Sequence, residues 1–200
     1  MNCPSVADRH RRPVIFLIGL PGSGKSTLGR ALKGAGIADF VDLDSAIEAR
    51  AGMSVAQIFA AEDEASFRRI ETQTLADIIT RAAADDDRQP RLLAVACGGG
   101  TPCFSDNMDR MLAAGTVVEL QARRDILIAR LIEAGDTRPL LAGLDAGAVG
   151  RYIDRTAAAR EPYYRRAHAA FDSSRLDTAA EIAESVELFR SFITSLQGQK

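Results

Sequence analysis

No apolar run in the 200-residue chain approaches the ~20 residues that a membrane-spanning helix needs. Cysteine is scarce. Cys3, Cys97 and Cys103 form an odd set with no CxxC pair, which fits reduced thiols in a cytoplasm rather than a disulfide framework. The charge balance is nearly even, with a formal net charge of -2 and a sequence pI near 5.8, so no general surface for nucleic acid or membrane is expected. His10 and His168 show no ligand spacing. Arg9, Arg11 and Arg12 precede the apolar run "VIFLIGL" in the manner of a signal peptide, but that run leads into "PGSGKST" and not into a small-residue cleavage site. It reads as a buried strand.

What remains is an ordinary globular composition, 46% hydrophobic and 26% charged, long enough for one compact domain that buries roughly 70% of its unfolded surface. The spacing predicts a strand over Val14–Ile18, a helix to about Leu32 and a strand near Phe40 and Val41. Residues 45–83 read as two or three helices, with Gly52 and Ser54 marking a stop and a new N-cap. "RLLAVACGGG" and "GTVVEL" read as strands and "RRDILIARLIEAG" as a helix. Residues 136–150 are glycine-rich with weak periodicity and are expected to form a flexible flap. A helix from Arg151 to about Ala159, a strand over residues 169–172 and a last helix from Thr178 to about Leu196 complete the chain. Strands alternate with helices and no repeat is present, so an α/β fold is expected, a parallel sheet covered on both faces.

"GLPGSGKS" from Gly19 to Ser26 fits G-x-x-x-x-G-K-[ST] between a strand and a helix, the context in which this loop cradles phosphate. Its glycines, Gly22 and Gly24 with Ser23 between them, free backbone N–H groups, and the helix N-terminus adds partial positive charge. Lys25 is placed to reach the β- and γ-phosphates, Ser26 to offer a hydroxyl to Mg²⁺, with Thr27 following. Two absences narrow the class. The third strand ends in cysteine and glycines instead of the acidic residue of a Walker B motif, and there is no [NT]-K-x-D guanine motif. Both argue against GTPases and motor ATPases and leave a kinase, which needs a second pocket for its acceptor.

Several residues suit such a pocket. Asp42 and Asp44 in "DLD" follow the second strand, and alternation points both carboxylates one way with Leu43 turned to the core. They suit a metal and a hydroxyl acceptor; the competing reading makes Asp44 a helix N-cap. Arg68, Arg138 and Arg160 stand in "FRRIE", "TRPLL" and "REPYY", and guanidinium matches carboxylate and phosphate by its fork. Gly98, Gly99 and Gly100 leave backbone bare at a strand's C-terminal end, where α/β sheets bind ligands.

Together "GLPGSGKST", "FVDLDSAIE", "FRRIE", "ACGGG", "TRPLL" and "REPYY", in that order across residues 14–172, resemble the shikimate kinase family. The resemblance implies a P-loop three-layer αβα fold with a five-stranded parallel sheet of order 2-3-1-4-5. It also implies transfer of the ATP γ-phosphoryl to the 3-hydroxyl of shikimate, in the cytoplasm, with Mg²⁺ and as a monomer. It divides the chain into a core (13–43, 91–135, 160–200), an acceptor-binding helical region (44–84) and a lid (136–152). Carried over by position, Asp44 binds and orients the acceptor hydroxyl, Arg68 and Arg160 clamp the carboxylate, and Gly98–Gly100 line the pocket. Arg138 closes over the phosphates, and Asp42 reaches Mg²⁺ through water. Glu71, three residues after Arg68, is placed to hold its guanidinium.

The chain departs from the family at Cys97, where a threonine or similar small residue often stands, and this cysteine reads as packed and inert. The expected base-binding loop, "DSSRLDT", lacks a proline, and Arg130 is the candidate for stacking on adenine. Two rivals stand beside this reading. One is a kinase for another hydroxy acid such as gluconate; the other is a non-catalytic nucleotide-binding switch. Arg68, Arg160 and the glycine triplet favour the first resemblance, and the retention of Lys25, Ser26 and Asp44 disfavours the switch.

Overall fold

The computed structural model describes residues 12–85, 91–135 and 143–198. Five strands, β1 (Val14–Ile18), β2 (Ala38–Asp42), β3 (Leu92–Ala96), β4 (Thr116–Gln121) and β5 (Ala169–Asp172), form one sheet of order β2-β3-β1-β4-β5. Every pairing is parallel. The central strand β1 is buried throughout, which is why it reads as an unbroken apolar run. Alternation splits its side chains. Val14, Phe16 and Ile18 join one core with Leu93, Val95 and Val117, while Ile15 and Leu17 join the other with Ala94, Val118 and Leu120.

Among the described residues there are eight α-helices, α1 (Lys25–Gly34), α2 (Leu43–Ala51), α3 (Val55–Ala61), α4 (Glu64–Ala83), α5 (Asn107–Ala114), α6 (Arg124–Glu133), α7 (Ala146–Tyr164) and α8 (Ala179–Gln197), with α6 and α7 sharing a third apolar cluster of their own. On the first face, α2 supplies Ile47, α4 Phe67 and Leu75, and α5 Met108 and Met111. On the second, α1 supplies Leu28 and Leu32, and α8 Val186, Phe189 and Ile193. Among the described residues no helix is long and apolar enough to cross a membrane.

Three expectations need correction. Helix α7 starts at Ala146, not Arg151, because the Asp145 carboxylate accepts from Ala148 N (2.6 Å) and caps it. Residues 136–142 of the expected flap lie outside the described residues; at its far end Gly150 is closely packed, since a Cβ on it would lie 2.5 Å from the Arg124 guanidinium. The helix then runs through Pro162 to the buried Tyr164, forgoing one N–H near its end. Second, α2 begins at Leu43, and its cap is Asp42, whose Oδ1 accepts from Asp44 N at 3.1 Å and Ser45 N at 3.5 Å. Asp44 is therefore a helical residue, and strand alternation is not what aligns it with Asp42. Third, α5 and the 3-10 turn Thr101–Cys103 before it had no counterpart in the sequence reading.

Candidate active site

The loop after β1 wraps the start of α1. Gly24 precedes the helix at φ +83°, a left-handed conformation that favours glycine, and no side chain caps the helix there. Its first N–H groups are therefore left for an anion. Lys25 folds back over the loop, its Nζ donating to Gly19 O (2.9 Å), Leu20 O (3.0 Å) and Ser23 Oγ (3.3 Å). Ser26 Oγ donates to Asp42 Oδ2 at 2.5 Å. Asp42 is thus divided, with Oδ1 capping α2 and Oδ2 facing the start of α1.

This loop lines one end of a cavity of about 490 Å³ whose other walls include Asp42, Asp44, Gly98, Gly99 and Arg130. Asp44 is exposed in the open cleft, but the protein crowding its carboxylate raises its pKa above the ordinary aspartate value. Desolvation is the largest cause, then the charges of Asp42 and Glu71; the Lys25 ammonium opposes them. Cys97 lines the cavity wall but is buried, with Sγ 3.6 Å from Met111 Sδ, and burial pushes its thiol pKa far up. It is a packed, inert thiol.

Beyond Asp44 the glycine triplet lets two arginines approach the backbone. A Cβ on Gly100 would lie 2.9 Å from Arg68 Nη2, and one on Gly99 would lie 2.5 Å from Arg160 Nη1. Arg68 comes from α4 and stacks on Phe104, its guanidinium carbon 3.9 Å from the ring centroid. Its Nη1 donates to Glu71 Oε2 (2.8 Å), the pairing expected one helical turn on, and its Nε and Nη2 reach Glu64 Oε1 at 3.3 and 3.2 Å. Arg160 Nη1 is buried and, among the described residues, donates to nothing. A buried guanidinium N–H without an acceptor is costly, and an anion bound there would relieve it.

Tyr164, four residues on from Arg160, donates its hydroxyl to Gly99 O at 2.6 Å. Nothing in "REPYY" reveals this partner, so the bond to the loop is not legible in the sequence. Arg130 departs further from expectation. Its Nε donates to Asp177 Oδ1 (2.6 Å), its Nη1 to Gly22 O (3.2 Å) and Ser173 O (3.1 Å), and its Nη2 to Ser174 O (3.1 Å). The guanidinium ties the phosphate loop to the loop after β5, whose Leu176 and Asp177 line the same cavity. Arg138 lies outside the described residues.

A helix N-terminus shaped for phosphate, sharing a cleft with a carboxylate and flanked by two arginines, is the arrangement of a P-loop kinase for a small anionic acceptor. The comparisons with known proteins narrow that class. Residues 21–189 match the shikimate kinase family. A shikimate kinase of Symbiobacterium thermophilum is 40% identical over 178 residues, covering 86% of this chain and 95% of the relative. One of Bacteroides fragilis is 35% identical over 179 residues, covering 90% and 95%. The crystal structure of shikimate kinase from Bacteroides thetaiotaomicron superposes with a TM-score of 0.81 at 32% identity, over 91% of this chain and 98% of that one. Shikimate kinase from Acinetobacter baumannii in complex with shikimate gives 0.74 at 26% identity, over 94% and 97%. A gluconokinase from Sinorhizobium meliloti shares the fold at a TM-score of 0.50 and 16% identity, over 96% and 99%. The chain belongs to the shikimate kinase family.

Proposed function

We propose that this protein transfers the γ-phosphoryl group of ATP to the 3-hydroxyl of shikimate, giving shikimate 3-phosphate and ADP, as a monomer in the cytoplasm. The observation that carries this reading is the placement of Arg160 Nη1, buried without an acceptor against Gly99, beside the cleft that holds Lys25 and Asp44. A hydroxy acid answers both groups, its carboxylate meeting the arginines and its hydroxyl meeting Asp44. Family membership selects shikimate among hydroxy acids; the gluconokinase likeness is one of fold alone.

Phosphoryl transfer needs positioning and charge stabilisation more than covalent chemistry. The backbone of Gly22, Ser23 and Gly24, with Ser26 and Thr27, receives the phosphates, and Lys25 swings from its carbonyl acceptors onto them. Arg68, Arg160 and the Gly98–Gly100 backbone hold the acceptor while Asp44 orients and deprotonates its attacking hydroxyl. Residues 44–84 form the acceptor-binding region and residues 136–152 the lid, with Arg138 answering the charge in flight. Arg130, already bonded to the phosphate loop, offers the face of its guanidinium to the base. Mg²⁺ prefers a few oxygen donors and keeps several waters, and the Ser26 hydroxyl with Asp42 Oδ2 fits that demand. Bound there, it would supply charge neutralisation at the phosphates.

The test is ADP release followed by a coupled assay with MgATP and shikimate, gluconate or no acceptor. Turnover only with shikimate is expected; equal turnover with gluconate, or none with either, sinks the reading. A second expectation follows from the glycine contacts. Gly99→Ala places its methyl 2.5 Å from Arg160 Nη1 and 3.2 Å from Gly19 O, so the guanidinium must move. The KM for shikimate is expected to rise roughly tenfold or more, the cost of one misplaced charged hydrogen bond. Steady-state kinetics with each substrate varied in turn would check it, and an unchanged KM would contradict the clamp.

A further inference from the structure

We propose that Thr101 is a positioning residue for the acceptor clamp, acting through Glu71 to fix the guanidinium of Arg68. The inference rests on the reading of Arg68 as a carboxylate-binding group. Glu71 is 0% exposed, and a carboxylate there is tolerable only if its oxygens are both answered. Arg68 Nη1 answers Oε2 at 2.8 Å. The donor to Oε1 is the Thr101 hydroxyl, at 2.5 Å and itself on a residue 0% exposed.

Thr101 is held in turn. Its N–H donates to Gly98 O (3.0 Å), and its carbonyl accepts from Asn107 Nδ2 (3.0 Å), a side chain also fully buried. The same 3-10 turn ends at Phe104, the ring on which Arg68 stacks. One short segment therefore supplies both the stacking face beneath Arg68 and the hydrogen bond that orients its carboxylate partner. The Glu71–Thr101 bond also runs directly behind the pocket lining. A Cβ on Gly98 would lie 3.0 Å from Glu71 Oε1, 3.0 Å from Thr101 Oγ1 and 3.3 Å from Asp44 Oδ1. The remaining partner of Arg68, Glu64, is 61% exposed, and a solvated i,i+4 pair contributes little rigidity. Orientation of Arg68 thus depends on Glu71, and orientation of Glu71 depends on Thr101.

Thr101→Val keeps the shape and removes only the hydroxyl. Glu71 Oε1 then has no donor, its carboxylate turns in search of one, and Arg68 follows. The expected result is a KM for shikimate raised roughly tenfold, the scale set by one unmet buried acceptor. The KM for MgATP is expected to stay within about twofold. Thr101→Ser, which keeps the donor, is expected to restore the wild-type shikimate KM. Should the valine variant fail to fold, Thr101→Cys, with a weak donor of similar size, reads the same effect at intermediate strength. A double-mutant comparison separates positioning from general destabilisation. In an Arg68→Lys background the added Thr101→Val change should raise the shikimate KM by less than twofold, because both act through one group.

Wild-type turnover with shikimate is measured first, since its absence overturns the proposed function itself. With wild-type turnover present, an unaltered shikimate KM in Thr101→Val overturns this inference alone. So does an equal rise for both substrates, failure of serine to restore, or full additivity with Arg68→Lys.

Discussion

Lys25→Met is expected to lower kcat by about 10³-fold, the loss seen when one preorganised charge is removed from a transferring phosphoryl group or oxyanion. The substitution keeps the unbranched stem and takes away only the ammonium. That ammonium donates to Gly19 O, Leu20 O and Ser23 Oγ. Those acceptors belong to the loop that receives the phosphates, so Lys25 need only turn to exchange neutral carbonyls for phosphate oxygens. Exchange of neutral for charged acceptors strengthens as charge moves from the γ-phosphoryl to the leaving oxygen, which is why the loss should fall on kcat. The shikimate KM is expected to change little, since Arg68, Arg160 and the glycine triplet sit outside this loop. Steady-state kinetics with both substrates would check the division. A loss confined to the KM for ATP would show that Lys25 binds ground state and transition state alike.

Asp44→Asn is expected to lower kcat by about 10²- to 10⁴-fold, the range of a positioned general base. It should also change the pH profile. Asp44 must be ionised to take the hydroxyl proton, and its pKa lies above the ordinary 3.8 through desolvation and the charges of Asp42 and Glu71. Wild-type kcat/KM should therefore fall on the acid side with a midpoint above the ordinary aspartate range, and the variant should lose that limb. The same shift has a stability consequence of opposite sign. Between the unfolded and the raised native pKa, the native state binds more protons, so stability falls as pH rises through that window. The penalty is complete above the native pKa, where asparagine avoids it. Asp44→Asn should thus raise the melting temperature of the free protein at neutral pH, and the gain should vanish below about pH 3.8. Because Asp44 is exposed in the open cleft, water screens much of the penalty and the gain should be small. Thermal melts at the two pH values, beside the kinetics, would show whether activity is bought with stability here.

The two halves of the site were not equally legible. The phosphate loop could be read because its chemistry is local: glycines, lysine and serine lie within one turn between a strand and a helix. The sheet could be read because strands buried on both faces are continuous apolar runs. The proposed acceptor pocket draws on α2, α4, the end of β3 and α7, and no spacing in the chain encodes that convergence; residue chemistry singled out Asp44, Arg68, Arg160 and the glycines one by one, and the family resemblance gave them their roles in one pocket. Arg68 and Glu71 were readable as a pair because one helix carries both. Thr101, on a turn thirty residues further on, was not. The start of α7 was set too late because a glycine that admits a neighbouring guanidinium, as Gly150 does, and a glycine that ends a helix look the same in sequence. Arg130 was placed at the base, but its backbone partners, Gly22, Ser173 and Ser174, depend on how two distant loops meet.

That meeting has a consequence for how nucleotide enters. Arg130 joins the phosphate loop to the loop after β5 through four hydrogen bonds that lie wholly within the protein. The entropy of fixing those two loops relative to each other is spent during folding, not at association. A nucleotide that spans the two loops, as proposed, would therefore meet a berth of set length.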